Sequence, residues 1–130
     1  MPLLTEEDND MKVVRFNEAE NYEPEKDWKR VSLCAEKDIS IEHFVKPAGH
    51  MSPEHDHPAA QVLVVLKGSI SIKTADEEVV IDENDAVYIP GDEPHVVGNP
   101  SNEPSVGLDI FVPGRSFDFW LKRKQAEQKG

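Results

Sequence analysis

The stretch GHMSPEHDHPAAQVLVVLKG, residues 49–68, places three polar side chains directly before an apolar run. His55 and His57 are separated by one residue, so on a strand both side chains point to the same side. Gln61 opens the apolar run and would approach both imidazoles if the two segments pair as neighbours. Polar side chains beside a buried strand need partners, and one shared metal ion would satisfy all three.

A further candidate ligand, His95, follows the proline-rich turn IPGDEPH, residues 89–95. Imidazole nitrogen suits Zn, Cu, Fe or Ni, and an amide oxygen adds a harder ligand. Such a set leaves coordination positions open for water or substrate. The alternative for the HDH segment alone is a polar surface strand without a metal. The presence of Gln61 and His95, each introduced by its own turn, favours the metal site.

Composition restricts the classes of partner. The chain has 130 residues, enough for one domain, and 26 acidic against 14 basic residues give a net charge of −12. That field repels phosphate backbones, so we expect no nucleic-acid partner, and an acidic substrate would need a local cation. No apolar run is long enough to span a membrane. The acidic start and the single cysteine, Cys34, predict a cytoplasmic protein.

Short β-type runs alternate with turn signals and predict an all-β fold with a closed or sandwiched antiparallel sheet. The runs are residues 31–35, 39–46, 61–66, 69–75, 78–82, 86–90, 95–99 and 106–112. We expect a partly irregular N-terminal arm (1–30), a barrel (31–115), and a C-terminal helix and tail (116–130). Ser116 is the predicted N-cap of that helix, and Asp118 lies in its first turn.

The alternation of side chains along the predicted strands indicates which residues face a partner subunit, the core or a pocket. The run 61–66 is apolar on both faces, which predicts a central strand or one covered by a partner subunit, and hence a homodimer. Asp109 alternates with apolar neighbours, and its ordinary interpretation is a polar residue on the solvent face. His43 lies on an apolar face, where it would line the core or a cavity. Tyr88 is a weaker candidate for reaching a pocket.

Residues 49–68 resemble the first motif of the cupin family, with glutamine where most cupins have glutamate. The matching positions are Gly49, His55, His57, Gln61 and Gly68. Residues 84–99, NDAVYIPGDEPHVVGN, resemble the second motif through Pro90, His95 and Asn99. Asn84 and Asp92 stand where glycine is usual, and both residue types tolerate the conformations such turns need.

The resemblance implies a small single-domain cupin barrel (a double-stranded β-helix or jelly roll) that binds a small molecule. It also implies that His55, His57, Gln61 and His95 hold a divalent transition metal, which could be Ni, Zn, Fe, Mn or Cu. With glutamine in the set, the protein ligands are neutral, so the ion keeps its full charge as a Lewis acid.

A shorter segment, DIFVPGR (109–115), is similar to the KdgF-type cupins of pectin and alginate breakdown. Those proteins use three histidines and one glutamine on the metal, and they help convert 4,5-unsaturated uronates into open-chain keto sugar acids. The similarity implies that Asp109 is the acid/base residue, that Phe111 packs beside the sugar ring and that Arg115 holds the substrate carboxylate. Phe111 fits the core equally well.

Two other functions are compatible with the same motifs. One is an Fe(II) dioxygenase, because other cupins activate oxygen. The other is a non-enzymatic module that binds a small ligand for sensing or storage. Oxygen uptake on substrate addition distinguishes the first, and affinity without turnover distinguishes the second.

Overall fold

The computed structural model describes residues 10–129, and their elements are nine strands, a short 3-10 turn and one helix. The strands are β1 (Asn21–Glu25), β2 (Trp28–Ala35), β3 (Ser40–Lys46), β4 (Ala60–Lys67), β5 (Ile70–Lys73), β6 (Glu78–Ile81), β7 (Ala86–Ile89), β8 (Val96–Gly98) and β9 (Ser105–Val112). The 3-10 turn is Phe16–Glu18, and helix α1 is Asp118–Lys129. Within the described part of the chain, no helix has the length and apolar character to cross a membrane.

The strands form two antiparallel sheets. The larger has the order β1-β2-β3-β9-β4-β7 and the smaller the order β6-β5-β8. The last strand, β9, is inserted between β3 and β4, which brings the C-terminal part of the chain to the centre of the larger sheet. The predicted all-β jelly-roll architecture with a short C-terminal helix is confirmed, and each of the eight predicted runs contains a strand.

An apolar core fills one part of the space between the sheets. Phe44, Leu63 and Val65 of the larger sheet pack against Ile70 and Ile72 of the smaller, and these side chains are almost completely buried. Burying a side chain of this size contributes roughly 1.5–3 kcal/mol. The apolar core therefore fills only one part of the interior, and buried polar side chains occupy the remainder.

The N-terminal region differs from the prediction. The arm over residues 1–30 was expected to be partly irregular, but β1 and the start of β2 occupy much of its second half. Tyr22 and Trp28 are buried within these strands, and Trp28 is only 4% exposed. The charged residues between Tyr22 and Trp28 made it difficult to recognise the alternation of buried and exposed positions in the sequence. The part of the predicted arm before residue 10 lies outside the described residues, and the division of the chain at residues 30 and 115 stays a prediction.

Helix α1 covers an end of the larger sheet. The hydroxyl of Ser116 accepts a hydrogen bond from the backbone N–H of Asp118 at 3.1 Å, as expected for the predicted cap. Phe117 and Trp120 pack in one cluster with Tyr22 and Trp28. The N-terminal strands thus form the surface on which the helix docks.

Two turns have the backbone conformation that the sequence suggested. Asn84 has φ = 72° and Asp92 has φ = 64°, both in the left-handed region that glycine occupies at little cost. Asn and Asp are the residues that enter this region most readily after glycine. The substitutions therefore leave the turns, and the strands they join, in place.

The interior face of the larger sheet is unusually polar. On β3 the inward residues are Ser40, Glu42, Phe44 and Lys46, whereas the apolar residues between them are only half-buried on the outer face. On β9, Asp109 lies inside at 5% exposure, so the alternative that it is a polar residue on the solvent face is wrong. Polar side chains lie inside because they bond to each other across the interior, as Arg30 does to Asp109.

Candidate functional site

Three imidazoles converge at one end of the interior. The ligating nitrogens of His55, His57 and His95 all lie within 4.8 Å of one another. Backbone pairing causes this convergence, because the N–H of each of His55 and His95 donates to the carbonyl of the other, at 3.1 and 2.9 Å. The predicted approach of His95 to the HDH segment is confirmed.

The tautomers of the three histidines follow from their hydrogen bonds. Each Nδ1 lies within 3.0 Å of a backbone carbonyl, which can only accept, so each Nδ1 carries the proton. The carbonyls belong to Pro53, Ala59 and Glu93. Burial lowers the pKa of His55 and of His95, which favours the neutral ring. The Nε2 lone pairs are therefore available as ligands.

The arrangement fits a metal ion. His95 Nε2 is buried and has no hydrogen-bond partner among the described residues. His57 Nε2 lies 3.1 Å from Gln61 Oε1, and the amide of Gln61 cannot turn its nitrogen there because that nitrogen donates to Asp109 Oδ1 at 2.7 Å. Two acceptors facing each other at this distance repel unless a cation lies between them. Three imidazoles and an amide oxygen suit borderline divalent transition metals.

A cavity of about 440 Å³ extends from the imidazoles of His55 and His57 into the polar interior. Its aromatic walls are Trp28, Phe44, Phe111, Phe119 and Trp120, and its basic side chains are Arg30, Lys46, Arg115 and Arg123. A second cavity, of about 570 Å³, lies between the N-terminal segment and β2. That cavity contains none of the clustered histidines, so we assign the candidate site to the smaller one.

Glu42 is the centre of a buried charged network beside the cavity. Its Oε1 accepts from Arg30 Nη2 at 2.7 Å and from Trp120 Nε1 at 2.8 Å. Both of its oxygens accept from Arg115 Nη2 at 3.0 Å. Arg30 Nη2 also donates to Asp109 Oδ2 at 2.8 Å. Through Asp109 and Gln61, the network runs continuously from helix α1 to the imidazoles.

Glu42 and Arg30 of this network are ionised at neutral pH. Burial opposes the charge of Glu42, but Arg30 and Arg115 outweigh burial and hold the pKa of Glu42 below its ordinary value of 4.5. Burial likewise opposes the charge of Arg30, and the carboxylates of Asp109 and Glu42 reverse that effect and raise its pKa. Each charge is thus retained because opposite charges lie within hydrogen-bonding distance.

The structure brings some of the sequence-predicted site residues together and separates others. Asp109, Phe111 and Arg115 all line the cavity. Tyr88 and His43, predicted to contact substrate, do not line it. Tyr88 is 64% exposed on the outer face of the larger sheet, and the ring of His43 lies under Phe16 at 4.9 Å on that same face. Both residues alternate with inward neighbours, so they point away from the interior.

Three charged residues of the site were not predicted from the sequence. Glu42 and Lys46 occupy the face of β3 opposite the one that was expected to line the core or a cavity, and Arg30 ends the arm that was expected to be partly irregular. The available signal was the even spacing of Ser40, Glu42 and Lys46 with Phe44. A face that mixes a large aromatic residue with charged ones is typical of a lined cavity rather than of a solvated surface.

Comparisons with known proteins identify the family and the fold. The family model described as "Cupin domain" matches residues 42–111, more than half of the chain. A KdgF from Halomonas sp. has a solved structure that superimposes with a TM-score of 0.74 at 19% identity, over 85% of this chain and 99% of that one. An RmlC-like cupin from Shewanella frigidimarina NCIMB 400 gives 0.73 at 19% identity, over 85% and 96%.

A third structure, TT1209 from Thermus thermophilus, has a TM-score of 0.66 at 20% identity, over 79% of this chain and 98% of that one. At these identities the structures establish a shared fold. No curated protein matches the sequence.

The first prediction concerns metal binding. Protein purified without chelator is expected to contain about one divalent transition-metal ion per chain by elemental analysis. His55→Ala removes one Nε2 from the cluster and should weaken binding of Zn²⁺ or Ni²⁺ at least about tenfold in a competition titration. His43→Ala is the matched control, because His43 is another half-buried histidine but lies on the outer face. Equal loss of metal in both variants would contradict the assignment.

The second prediction concerns Glu42. Glu42→Gln leaves two buried guanidiniums short of a carboxylate and should lower the free energy of unfolding at pH 7 by about 3 kcal/mol. Because the folded-state pKa of Glu42 is depressed, its stabilisation is full above pH 4.5 and is lost as pH falls through the folded pKa. The difference between wild type and variant, measured by urea denaturation, should therefore shrink in acid.

Glu36→Gln is the control for this measurement. Glu36 pairs with Lys12 at 2.8 Å, but both side chains are at least 42% exposed. Its loss should change stability by less than about 1 kcal/mol. A similar effect of both substitutions would mean that the Glu42 network does not carry the stability we assign to it.

Proposed function

Because the chain belongs to the cupin family, we propose that it is a metal-dependent enzyme that linearises an unsaturated uronate or a similar sugar acid. The similarity of residues 109–115 to the KdgF-type cupins supports this substrate class, and a KdgF is among the solved structures with the same fold. The single cysteine, Cys34, supports a proposed location in a reducing compartment such as the cytoplasm.

In this proposal His55, His57, His95 and Gln61 hold the metal ion. A divalent ion bound by neutral ligands keeps its full charge and supplies Lewis acidity towards a sugar oxygen. The remaining polar groups of the cavity then have to position the sugar acid and move a proton. No oxidant or reductant is needed, because ring opening of an unsaturated uronate is an isomerisation.

The observation that carries the proposal is the 2.7 Å hydrogen bond from Gln61 Nε2 to Asp109 Oδ1. It places a carboxylate next to the metal-ligand cluster and fixes the orientation of Gln61. Arg30 donates to the other oxygen of Asp109, and the two bonds together hold the carboxylate in one orientation. Each oxygen keeps a second lone pair, so Asp109 can accept a proton from the sugar.

Ring opening requires one proton to move. The base takes the proton of the C1 hydroxyl, the bond from C1 to the ring oxygen breaks, and C1 becomes a carbonyl. The released oxygen is then an enolate, which takes up that same proton at C4 and leaves a ketone at C5. We propose that Asp109 accepts and returns this proton, acting first as base and then as acid.

Phe111 and Arg115 form the wall beside Asp109 in this proposal. The guanidinium of Arg115 lies 4.1 Å from the Phe111 ring centroid, and that ring lies 5.3 Å from the ring of His57. Arg115 Nε and Nη2 are both bonded to Glu42, so a substrate carboxylate could reach only its remaining nitrogen. Phe111 supplies an apolar surface for one face of the sugar.

The activity test mixes metal-loaded protein with a lyase-generated 4,5-unsaturated uronate monosaccharide and follows the open-chain keto acid by NMR. We expect conversion faster than the spontaneous rate, without oxygen consumption. Asp109→Asn should reduce kcat by about 10²-fold or more, with metal content checked separately. Asp76→Asn is the control, because Asp76 is an exposed carboxylate between β5 and β6 that does not line the cavity. An unchanged spontaneous rate with wild type, or oxygen uptake with substrate, would overturn the proposal.

We also propose that the chain forms a homodimer through the outer face of the larger sheet. A row of apolar side chains crosses four strands there, since Tyr88 pairs with Val62, Val62 with Ile110 and Ile110 with Ile41. Three of these residues are half-buried and Tyr88 is exposed. A continuous apolar sheet face of this kind is typical of a surface covered by a second sheet.

Light scattering after gel filtration tests this proposal at micromolar concentration. Wild type should have the mass of a dimer, and Tyr88→Glu should shift the population towards monomer, because it buries a carboxylate in the apolar interface. Val80→Glu, at a comparably exposed position on β6 in the other sheet, should leave the dimer intact. A monomeric wild type would contradict the proposed interface.

A further inference from the structure

Lys46 is a buried ammonium group that lines the cavity. It ends β3 and is only 2% exposed. Its Nζ donates to the hydroxyl of Ser52 at 2.6 Å and lies 4.6 Å from the ring centroid of Trp28. The side-chain amide of Asn99 donates to the backbone carbonyl of Lys46 at 3.0 Å, which fixes the position of the strand end. These contacts fix the position of the nitrogen. The ammonium has three N–H groups and donates one of them to Ser52, so the others can bind a ligand.

The other buried cations of the cavity already have internal counter-ions. Arg30 is bonded to Glu42 and Asp109, and Arg115 is bonded to Glu42, so the charges of these residues balance. No carboxylate among residues 10–126 lies within 4.0 Å of Lys46 Nζ. A buried ammonium without a counter-ion is costly, so near pH 7 part of Lys46 is held as the neutral amine unless an anion pairs with it. The missing partner is supplied most simply by an anionic ligand.

We propose that Lys46 receives the anionic group of the ligand, with the Ser52 hydroxyl as a second donor and Trp28 as an aromatic platform, while Arg115 serves as an internal counter-ion to Glu42. The ligand class is a small carboxylate, a sugar acid in particular. The inference rests on the proposed function and names the residue that binds the carboxylate there. It also differs from the carboxylate-binding role that the sequence resemblance implied for Arg115.

The hydrogen-bonding capacity of Lys46 and Ser52 agrees with this assignment. The Ser52 oxygen accepts from Lys46, so its own proton is free to donate to a ligand oxygen. Two donors side by side can bind both oxygens of one carboxylate, in the manner of charge-assisted hydrogen bonds. In a chain of net charge −12, such a local cation is what an acidic ligand requires.

Protonation of Lys46 should be coupled to binding. Burial, and secondly the charge of Arg30, lower the pKa of Lys46 from 10.5 to about 7. A bound carboxylate favours the ammonium form, so binding above pH 7 takes up a proton and affinity falls as pH rises. The charged groups that face Lys46 from the packed elements are Arg30 on β2, Asp109 on β9 and Glu25 on β1, with His50 paired to Glu25.

The test compares D-glucuronate with D-glucose in calorimetric titrations of the metal-loaded protein, a measurement that requires no turnover. Wild type should prefer glucuronate by at least about tenfold, and Lys46→Met should abolish that preference. Lys46→Arg should restore part of it, because a cation is retained. Lys46→Met removes an unbalanced buried charge, so it is expected to fold, and its melting temperature and metal content verify this.

The pH dependence provides an independent readout. Between pH 7 and 9 the affinity of wild type for glucuronate should fall by up to about tenfold per pH unit, and the affinity of Lys46→Arg should stay level. His50→Gln should keep the wild-type profile, which separates Lys46 from the nearby histidine. A level profile in wild type would overturn the proposal.

Kinetics distinguish recognition from proton transfer. With the unsaturated uronate, Lys46→Met should raise KM at least about tenfold while kcat changes little. Loss of kcat at constant KM would overturn the assignment, as would a glucuronate preference that survives in Lys46→Met but disappears in Arg115→Lys. If wild type selects glucuronate through Lys46 but does not open the unsaturated ring, the proposed activity fails and the carboxylate site stands.

Discussion

The ion pairs that Glu42 makes with Arg30 and Arg115 are the interaction on which the rest of the interior depends. This carboxylate joins β2, the segment after β9 and, through the indole of Trp120, helix α1. Arg30 extends the network to Asp109, and Asp109 extends it to Gln61 beside the imidazoles. Because each member is buried and charged or strongly polar, removal of one leaves its direct partners with a polar group that is no longer paired. The network therefore couples the docking of the helix to the orientation of a residue at the candidate metal centre.

The polar interior also explains why alternation along the strands was misleading. In an ordinary sheet the apolar side chains of β3 and β9 would face inwards. Here the apolar core is confined to one end, and the inward face of the larger sheet carries Glu42, Lys46 and Asp109. Their apolar neighbours face outwards, where we propose that a second copy of the chain covers them. The inversion is stable because nearly all of the inward charges are paired.

Lys46 is the exception to that pairing. The arginines of the cavity are neutralised by Glu42 and Asp109, whereas the ammonium of Lys46 has only the hydroxyl of Ser52 and the ring of Trp28. A buried charge left without a counter-ion lowers stability unless a ligand provides one. The site thus combines a neutral set of metal ligands at one end with an unbalanced cation elsewhere in the same cavity, an arrangement suited to an acid that also carries coordinating oxygens.

The sequence by itself determined the all-β fold and the four residues at the candidate metal centre, because these depend on local spacing, and it indicated the family through its resemblance to two motifs. Histidines at i and i+2 share a strand face, and turn residues such as Asn84 mark where strands end. It also placed Asp109, Phe111 and Arg115 near the site, through a motif. Only the tertiary structure decided which strand faces point inwards, that Arg30, Glu42 and Lys46 line the cavity, and that His43 and Tyr88 do not. Those outcomes depend on pairing between residues far apart in the chain, such as Arg30 with Asp109, and no local pattern records which buried charge will meet which partner.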